Sequence, residues 1–248
     1  MIEYDTYKGK IKIKHKLFAP KLYWLDFYKL VSYSYMQTGF YNPLFIKKRR
    51  FTLIVDLNMQ TETVFSNFKS KTRNEIRRAS NEHIKFSIED NKQDFISFYN
   101  EFAIKKGQGL LSYDSFMQLK NVVITKATIE NKPLVMHAYL IYPEGAKARL
   151  INSASKRFEV NANKALIGWA NRFLHYQDMI FFKEQHITAY DLGGTAHHTR
   201  KKDQHRIEAF KSEFGGETVV EYFYESIPHF IGLHIYTFLS KHFSKSTN

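Results

Sequence analysis

The chain contains no cysteine. That excludes disulfides, a thiolate nucleophile and cysteine-ligated metal, and it fits a reducing compartment. No apolar run approaches the roughly 20 residues that a membrane span requires. The N-terminal stretch, Met1 to Lys16, alternates apolar and basic side chains and lacks the apolar core of a secretory signal. These absences predict a soluble, cytoplasmic protein. No repeat or low-complexity linker divides the 248 residues, a length that suits one large domain or two small ones. Acidic side chains are in short supply, with 24 Asp and Glu against 37 Lys and Arg, so the net charge is +13. Such a surplus seeks phosphate on nucleic acid, nucleotide-bearing substrates or an anionic membrane, or else serves only to keep the surface soluble.

The composition that remains is globular, with 44% hydrophobic and 16% aromatic residues, so the core should pack many rings. Strict alternation over 9–18 predicts an exposed strand, and the β-formers of 49–57 predict another. Between them 20–46 reads as aromatic and irregular, with turns at Gly39 and Asn42-Pro43. Helices are expected over 61–80, over 94–106 with Gly107 as its stop, and from a Ser112 cap to about residue 120. Strands follow at 122–130, 134–142 and 148–154. The stripe of Ala165, Leu166, Trp169, Ala170, Phe173 and Leu174 predicts a helix over 163–177. A strand at 188–192, a helix at 204–214 and a strand at 218–224 complete an α/β order with a mixed sheet. The final helical pattern, 227–243, reads as a terminal helix docked on the sheet, or as a peripheral helix lying on a membrane surface.

Two stretches are conspicuously basic. On the 61–80 helix Lys69, Arg73 and Arg77 recur at intervals of four and share a face, broadened by Lys71 and Arg78. Such a row suits a polyphosphate or a nucleic-acid backbone, or is a solvated face. The second stretch is Y-D-L-G-G-T-A-H-H-T-R-K-K-D-Q-H-R, residues 190–206, followed by F-K-S-E-F-G-G at 210–216. The chain's two Gly-Gly pairs bracket this loop. The first is expected to turn the chain off its strand and the second to end a helix. Arg200 and Lys211 are then phosphate-binding candidates. His197, His198 and His205 match no metal-ligand spacing, so no metal site is expected.

Four motifs in order, T-L-I-V-D-L at 52–57, K-T-R-N-E-I-R-R-A at 71–79, Y-D-L-G-G at 190–194 and F-K-S-E-F-G-G at 210–216, resemble the FemABX-type aminoacyltransferases and the wider GNAT-like acyltransferases. The resemblance spans roughly 50–225 and fits a short single-domain relative. It implies a GNAT-like mixed sheet flanked by helices over 49–226, preceded by a strand-rich extension at 1–48 and followed by an amphipathic helix at 227–248. Two central strands would splay apart around an activated acyl donor. The acceptor amine would attack the donor carbonyl directly, which needs alignment, an oxyanion donor and a base but no nucleophilic side chain.

Carried onto this chain, the resemblance makes 148–154 the splayed strand. Asn152, Ser153, Lys156, Arg157, Asn161 and Asn163 become donor-binding candidates at a helix N-terminus, where anions are favoured. Asp191, at a strand end, and His137 are candidate bases, each with a structural alternative: Asp before Gly is ordinary turn chemistry, and a lone strand histidine is usually structural. Lys69, Arg73, Arg77, Arg200 and Lys211 would hold the acceptor's phosphates. The glycine-rich pyrophosphate loop of acyl-CoA enzymes is missing, with no glycine between Gly145 and Gly168. The expected function is acyl transfer, from acyl-CoA by slight preference or from aminoacyl-tRNA, with no permanently bound cofactor. The acceptor is an amine on a nucleotide-sugar or polyprenyl-linked glycan of the bacterial envelope, reached in the cytoplasm or at the inner membrane face. The competing reading is a non-catalytic binder of RNA or anionic glycolipid on the same fold.

Overall fold

The computed structural model describes residues 1–8, 10–195, 202–233 and 235. Two compact units emerge, one of residues 51–219 and one of residues 1–50 with the chain from 220 onward.

The 51–219 unit carries the cleft described below. Its strands lie in the order β4-β9-β8-β7-β6-β5. These are β4 (Phe45–Asp56, of which 51–56 belong here), β5 (Lys85–Ile88), β6 (Val122–Ile129), β7 (Lys132–Tyr142), β8 (Lys147–Ser155) and β9 (Ala189–Thr195). Neighbours are antiparallel except β8 and β9, which are parallel. The helix that joins that parallel pair, α5 (Lys164–Glu184), packs on the sheet through Ile167, Ala170, Phe173, Leu174 and Phe182. Burying each of the larger ones, Ile167, Phe173, Leu174 and Phe182, contributes about 1.5–3 kcal/mol. A second core gathers under α3 (Lys92–Lys106) and α4 (Tyr113–Met117), where Phe95 stacks on Phe116. Asn91 and Ser112 cap these helices with their side-chain oxygens, and Gly107 closes α3 in the left-handed conformation.

The other unit orders its strands β1-β2-β3-β10. They are β1 (Ile2–Lys8), β2 (Ile11–Leu17), β3 (Val31–Met36) and β10 (Glu217–Ser226, of which 220–226 belong here). Tyr33, Met36, Phe45 and Tyr224 form its core. The helical pattern after 226 is present over 227–233, opened by the Ser226 hydroxyl accepting from the His229 amide at 3.3 Å. Its continuation to 243 lies largely outside the described residues. Among the described residues no helix is long and apolar enough to cross a membrane.

Three local expectations change. The helix expected over 61–80 is two, α1 (Thr61–Ser66) and α2 (Ser70–Asn81), because Lys69 is extended and donates its amide to the Glu213 carbonyl at 2.9 Å. A tertiary partner thus ends what local pattern would continue. The first Gly-Gly pair does not end its strand, since Gly194 and Thr195 still pair with Thr52 and Phe51. And 20–46 is not wholly irregular, for it holds β3 and the start of β4.

Candidate functional site

Strands β8 and β9 pair only at their beginnings, Lys147 with Ala189, Ala148 with Tyr190 and Arg149 with Asp191. Beyond that they part. A bulge on each strand accompanies the split. On β8 the extra residue against β7 is Ile151, lying between the pairs Ala138–Asn152 and Tyr139–Leu150. On β9 the register against β4 shifts between Asp191 and Gly194. Gly193 sits there at φ +77°, and a Cβ on it would meet the Leu150 carbonyl oxygen at 2.8 Å. Only glycine takes this conformation at this approach without strain.

The gap opens into a cleft of about 670 Å³. Leu150 to Ser155 of β8 line one side and Leu192 to Gly194 of β9 the other; the first turn of α5 adds Lys164, Ala165, Ile167 and Gly168. The backbone edge of β8 that would have paired with β9 is thereby left to the cleft. Among the described residues seven lining side chains are Lys or Arg (Lys71, Lys106, Arg157, Lys164, Arg172, Arg206 and Lys211), whereas one, Glu75, is acidic. Glu75 is itself matched to Arg172 at 3.1 Å, and Arg172 also meets Glu213 at 2.8 Å. The cleft is therefore strongly positive, and low-dielectric walls such as Trp169, Phe158 and Phe210 focus that field.

At the cleft floor a chain of buried polar side chains begins. His175 of α5 lines the cleft, and its Nδ1 meets the Tyr190 hydroxyl at 2.7 Å. Tyr190 meets Tyr139 at 2.6 Å, and Tyr139 donates to Asp178 at 2.5 Å. His137 Nδ1 lies 2.8 Å from the same Asp178 oxygen, and its Nε2 lies 2.9 Å from the Asn171 side-chain oxygen. Burial, followed by the charges of His137, Lys211 and Arg172, pushes the His175 imidazole well below its ordinary value, so the ring is neutral. Burial and the Asp178 carboxylate push both tyrosine hydroxyls well above theirs. His137, His175 and Asp178 offer atoms within 4.8 Å of one another, a spacing compatible with a metal ion. Hydrogen bonds within the chain already engage the Nδ1 atoms and one carboxylate oxygen.

The expected site residues fall into groups. Asn152, Ser153, Arg157 and Lys211 line the cleft, and Lys211 also donates to the Gly194 carbonyl at 2.8 Å. Lys156 sits beside it, bridged to Glu101 and Glu159 at 2.9 Å each. Asn163 caps α5 and Asn161 turns the preceding loop at φ +64°. Neither lines the cleft. Of the basic helix face, Lys71 reaches the cleft but Lys69, Arg73 and Arg77 do not. Arg73 instead donates to the carbonyls of Ser66 and Phe68, and Arg77 lies 5.4 Å from the Phe65 ring centroid. Asp191 is fully buried away from the cleft lining. Arg149 donates to it at 2.7 Å, the Gly193 amide at 2.8 Å, and the Thr52 hydroxyl also donates to it. His137 is buried within the polar chain. Arg200, His197 and His198 lie outside the described residues.

Sequence reasoning passed over His175, Asp178, Tyr190 and Lys164, and took Arg206 only as part of the basic loop. A signal existed for the first two. Asn171, His175 and Asp178 recur at intervals of four and three, so one face of α5 carries a polar row through an otherwise apolar helix.

The 51–219 unit, a mixed sheet whose parallel pair β8–β9 splits over a cleft, has the FemABX/GNAT-like acyltransferase fold, as its likeness to solved structures shows. No protein-family model and no curated protein matches the sequence. Among solved structures the chain is similar to FemX, with TM-score 0.63 and 11% identity over 90% of this chain and 83% of that one. The C-terminal domain of a putative lysylphosphatidylglycerol synthetase from Agrobacterium fabrum gives 0.58 and 10% identity over 90% and 80%. L-PGS from Bacillus licheniformis gives 0.53 and 14% over 79% and 68%.

Proposed function

We propose that this chain is an aminoacyltransferase, carrying an aminoacyl group from its tRNA ester to an amine on a nucleotide- or polyprenyl-diphosphate-linked sugar in envelope glycan synthesis. The observation that carries this reading is the split between β8 and β9 over a cleft lined, among the described residues, by seven cations and one acid. Both substrates so described bring phosphate, and an unpaired strand edge offers backbone donors where an oxyanion would form. Likeness to FemX and to a synthetase named for lysylphosphatidylglycerol favours an aminoacyl group. So does the lack of glycine between Gly145 and Gly168, which removes the usual pyrophosphate loop. Direct transfer matches the absence of cysteine, because alignment rather than a covalent intermediate lowers the barrier.

A second reading keeps the reaction and changes the donor to acyl-CoA. It is favoured by Ser153, Arg157 and the first turn of α5 lining the same cleft, a compact setting for a diphosphate. The test supplies each donor, with its acyl group carbon-14 labelled, to purified protein together with a uridine-diphosphate amino sugar or a polyprenyl-diphosphate glycan. Label moving from tRNA to the sugar supports the first reading. Label moving only from acyl-CoA replaces it with the second. Salt-sensitive RNA binding without any transfer would overturn both and leave a binder on this fold.

A further inference from the structure

The buried chain from Asp178 to His175 has a direction that follows from proton counting. The Asp178 carboxylate can only accept, so Tyr139 spends its single hydroxyl proton on it at 2.5 Å. The Tyr139 oxygen, 2.6 Å from Tyr190, must then accept from it. Tyr190 has thereby spent its own proton, so its oxygen accepts at 2.7 Å from His175, whose Nδ1 must carry the hydrogen. A neutral imidazole has one N–H, which leaves the lone pair on Nε2. Among the described residues no hydrogen bond occupies that nitrogen, and His175 is the member of the relay whose ring lines the cleft.

Resting on the transfer reading above, we infer that His175 Nε2 is the general base that takes the proton of the acceptor amine, and that Tyr190, Tyr139 and Asp178 are positioning residues that hold its tautomer. The amine nitrogen attacks the ester carbonyl carbon. The new N–C bond forms, the C–O bond to the tRNA ribose breaks, Nε2 receives the proton the nitrogen loses, and the leaving ribose oxygen recovers a proton from the resulting imidazolium. While the ring is charged, its Nδ1–H remains bonded to Tyr190 and two hydroxyls connect it to the Asp178 carboxylate. The groups facing the ring favour the neutral resting form. The His137 ring lies 4.3 Å away, Phe214 4.9 Å and Phe210 5.6 Å, and the charges of Lys211 and Arg172 act on it. A neutral, oriented imidazole facing a substrate cleft is a base ready to act.

The experiment is single-turnover transfer from carbon-14 aminoacyl-tRNA to a uridine-diphosphate amino sugar, paired with ring nitrogen-15 spectra of the intact protein. His175→Gln should slow transfer about 100- to 10,000-fold, the range for a lost general base, with donor affinity and melting cooperativity retained. His175→Gly should regain rate with added imidazole, which a purely structural role would not allow. Tyr190→Phe should leave substrate KM unchanged, lower kcat and redistribute the ring proton between nitrogens. Full-rate transfer by His175→Gln overturns the base assignment and leaves the proposed function standing. An inert wild type with every donor overturns the proposed function instead. In that event the spectra still decide the tautomer, since a wild-type ring protonated on Nε2 overturns the inference.

Discussion

Asp191 and Asp178 are both fully withdrawn from solvent within the 51–219 unit, yet their surroundings differ in kind. Asp191 is compensated by charge, with Arg149 at 2.7 Å and Lys147 at 4.0 Å, and its oxygens also take the Thr52 hydroxyl and the Gly193 amide. Asp178 meets hydroxyl and imidazole groups, and its other oxygen has no partner among the described residues. The first arrangement is closed and braces the strands at the point where they part. The second leads from the core to a ring at the cleft. The sheet's period of two explains the division, because Tyr190 and Asp191 are neighbours on β9 and point to opposite faces, Tyr190 toward α5. A buried carboxylate is thus structural or functional according to where its hydrogen bonds end.

The largest effect should come from opening the closed arrangement. Asp191→Ala takes the carboxylate away from buried Arg149, and removing one member of such a pair costs about 3–5 kcal/mol. Urea denaturation should show that loss, whereas replacing Arg149 by Met and Asp191 by Leu together should recover much of it. A loss below 1 kcal/mol for the single variant would erase the distinction between the two carboxylates. Tyr139→Phe removes one donor from Asp178 and should cost about 1.5–3 kcal/mol, the range for a bond to a charged group. Unlike Asp191→Ala, it should also lower the transfer rate in protein that remains folded.

Acid should separate the two arrangements more gently. The His175 value is depressed in the fold, so below about 6.5, the ordinary histidine value, the unfolded chain binds the additional proton. Stability is then full above that pH and falls as pH drops through the window beneath it. His15, held down to about 4 by burial in the other unit, adds a slope of the same sign between its ordinary value of 6.5 and 4. His175→Gln should flatten part of the decline in melting temperature from pH 7 to pH 5, and Asp191→Asn should leave that part in place. An unchanged slope in His175→Gln would mean that this ring does not carry its depressed value.

What the sequence disclosed follows the same division. Strands β6, β7 and β8, helix α3 and the start of α5 were legible because period and caps are local, whereas α5 runs on to Glu184, past the end expected at 177. The break at Lys69 was not, because the Glu213 carbonyl that takes its amide lies far along the chain. Short β5, read as no strand at all, is only four residues of K-F-S-I. The cleft strand, Arg157 and Lys211 were reachable through motif resemblance. His175 was hidden by its setting, since a histidine among Phe173, Leu174 and Met179 reads as core until Asn171 and Asp178 are placed on the same helical face. Asp191 drew attention by its position near two glycines, but the Arg149 that explains its burial lies on another strand and was not visible from that position.

The smallest effects concern the basic row of α2, where spacing pointed to a shared face but side-chain partners divide the labour. Lys71 is 75% exposed at the cleft, with Glu75 no closer than 3.9 Å. Lys71→Ala should therefore change stability by less than about 0.5 kcal/mol. It should weaken binding of an anionic donor and reduce the slope of log affinity against log salt by about 1, the signature of one lost phosphate contact. Arg73→Ala should do the reverse. Its guanidinium holds the Ser66 and Phe68 carbonyls where α1 meets α2, so stability should fall by about 0.5–1.5 kcal/mol while donor affinity stays level. Fluorescence-anisotropy titrations of labelled tRNA at two salt concentrations, run beside thermal melts, separate these outcomes. A salt slope that falls for Arg73→Ala and not for Lys71→Ala would return phosphate contact to the outer face of the helix and move the anion path out of the β8–β9 cleft.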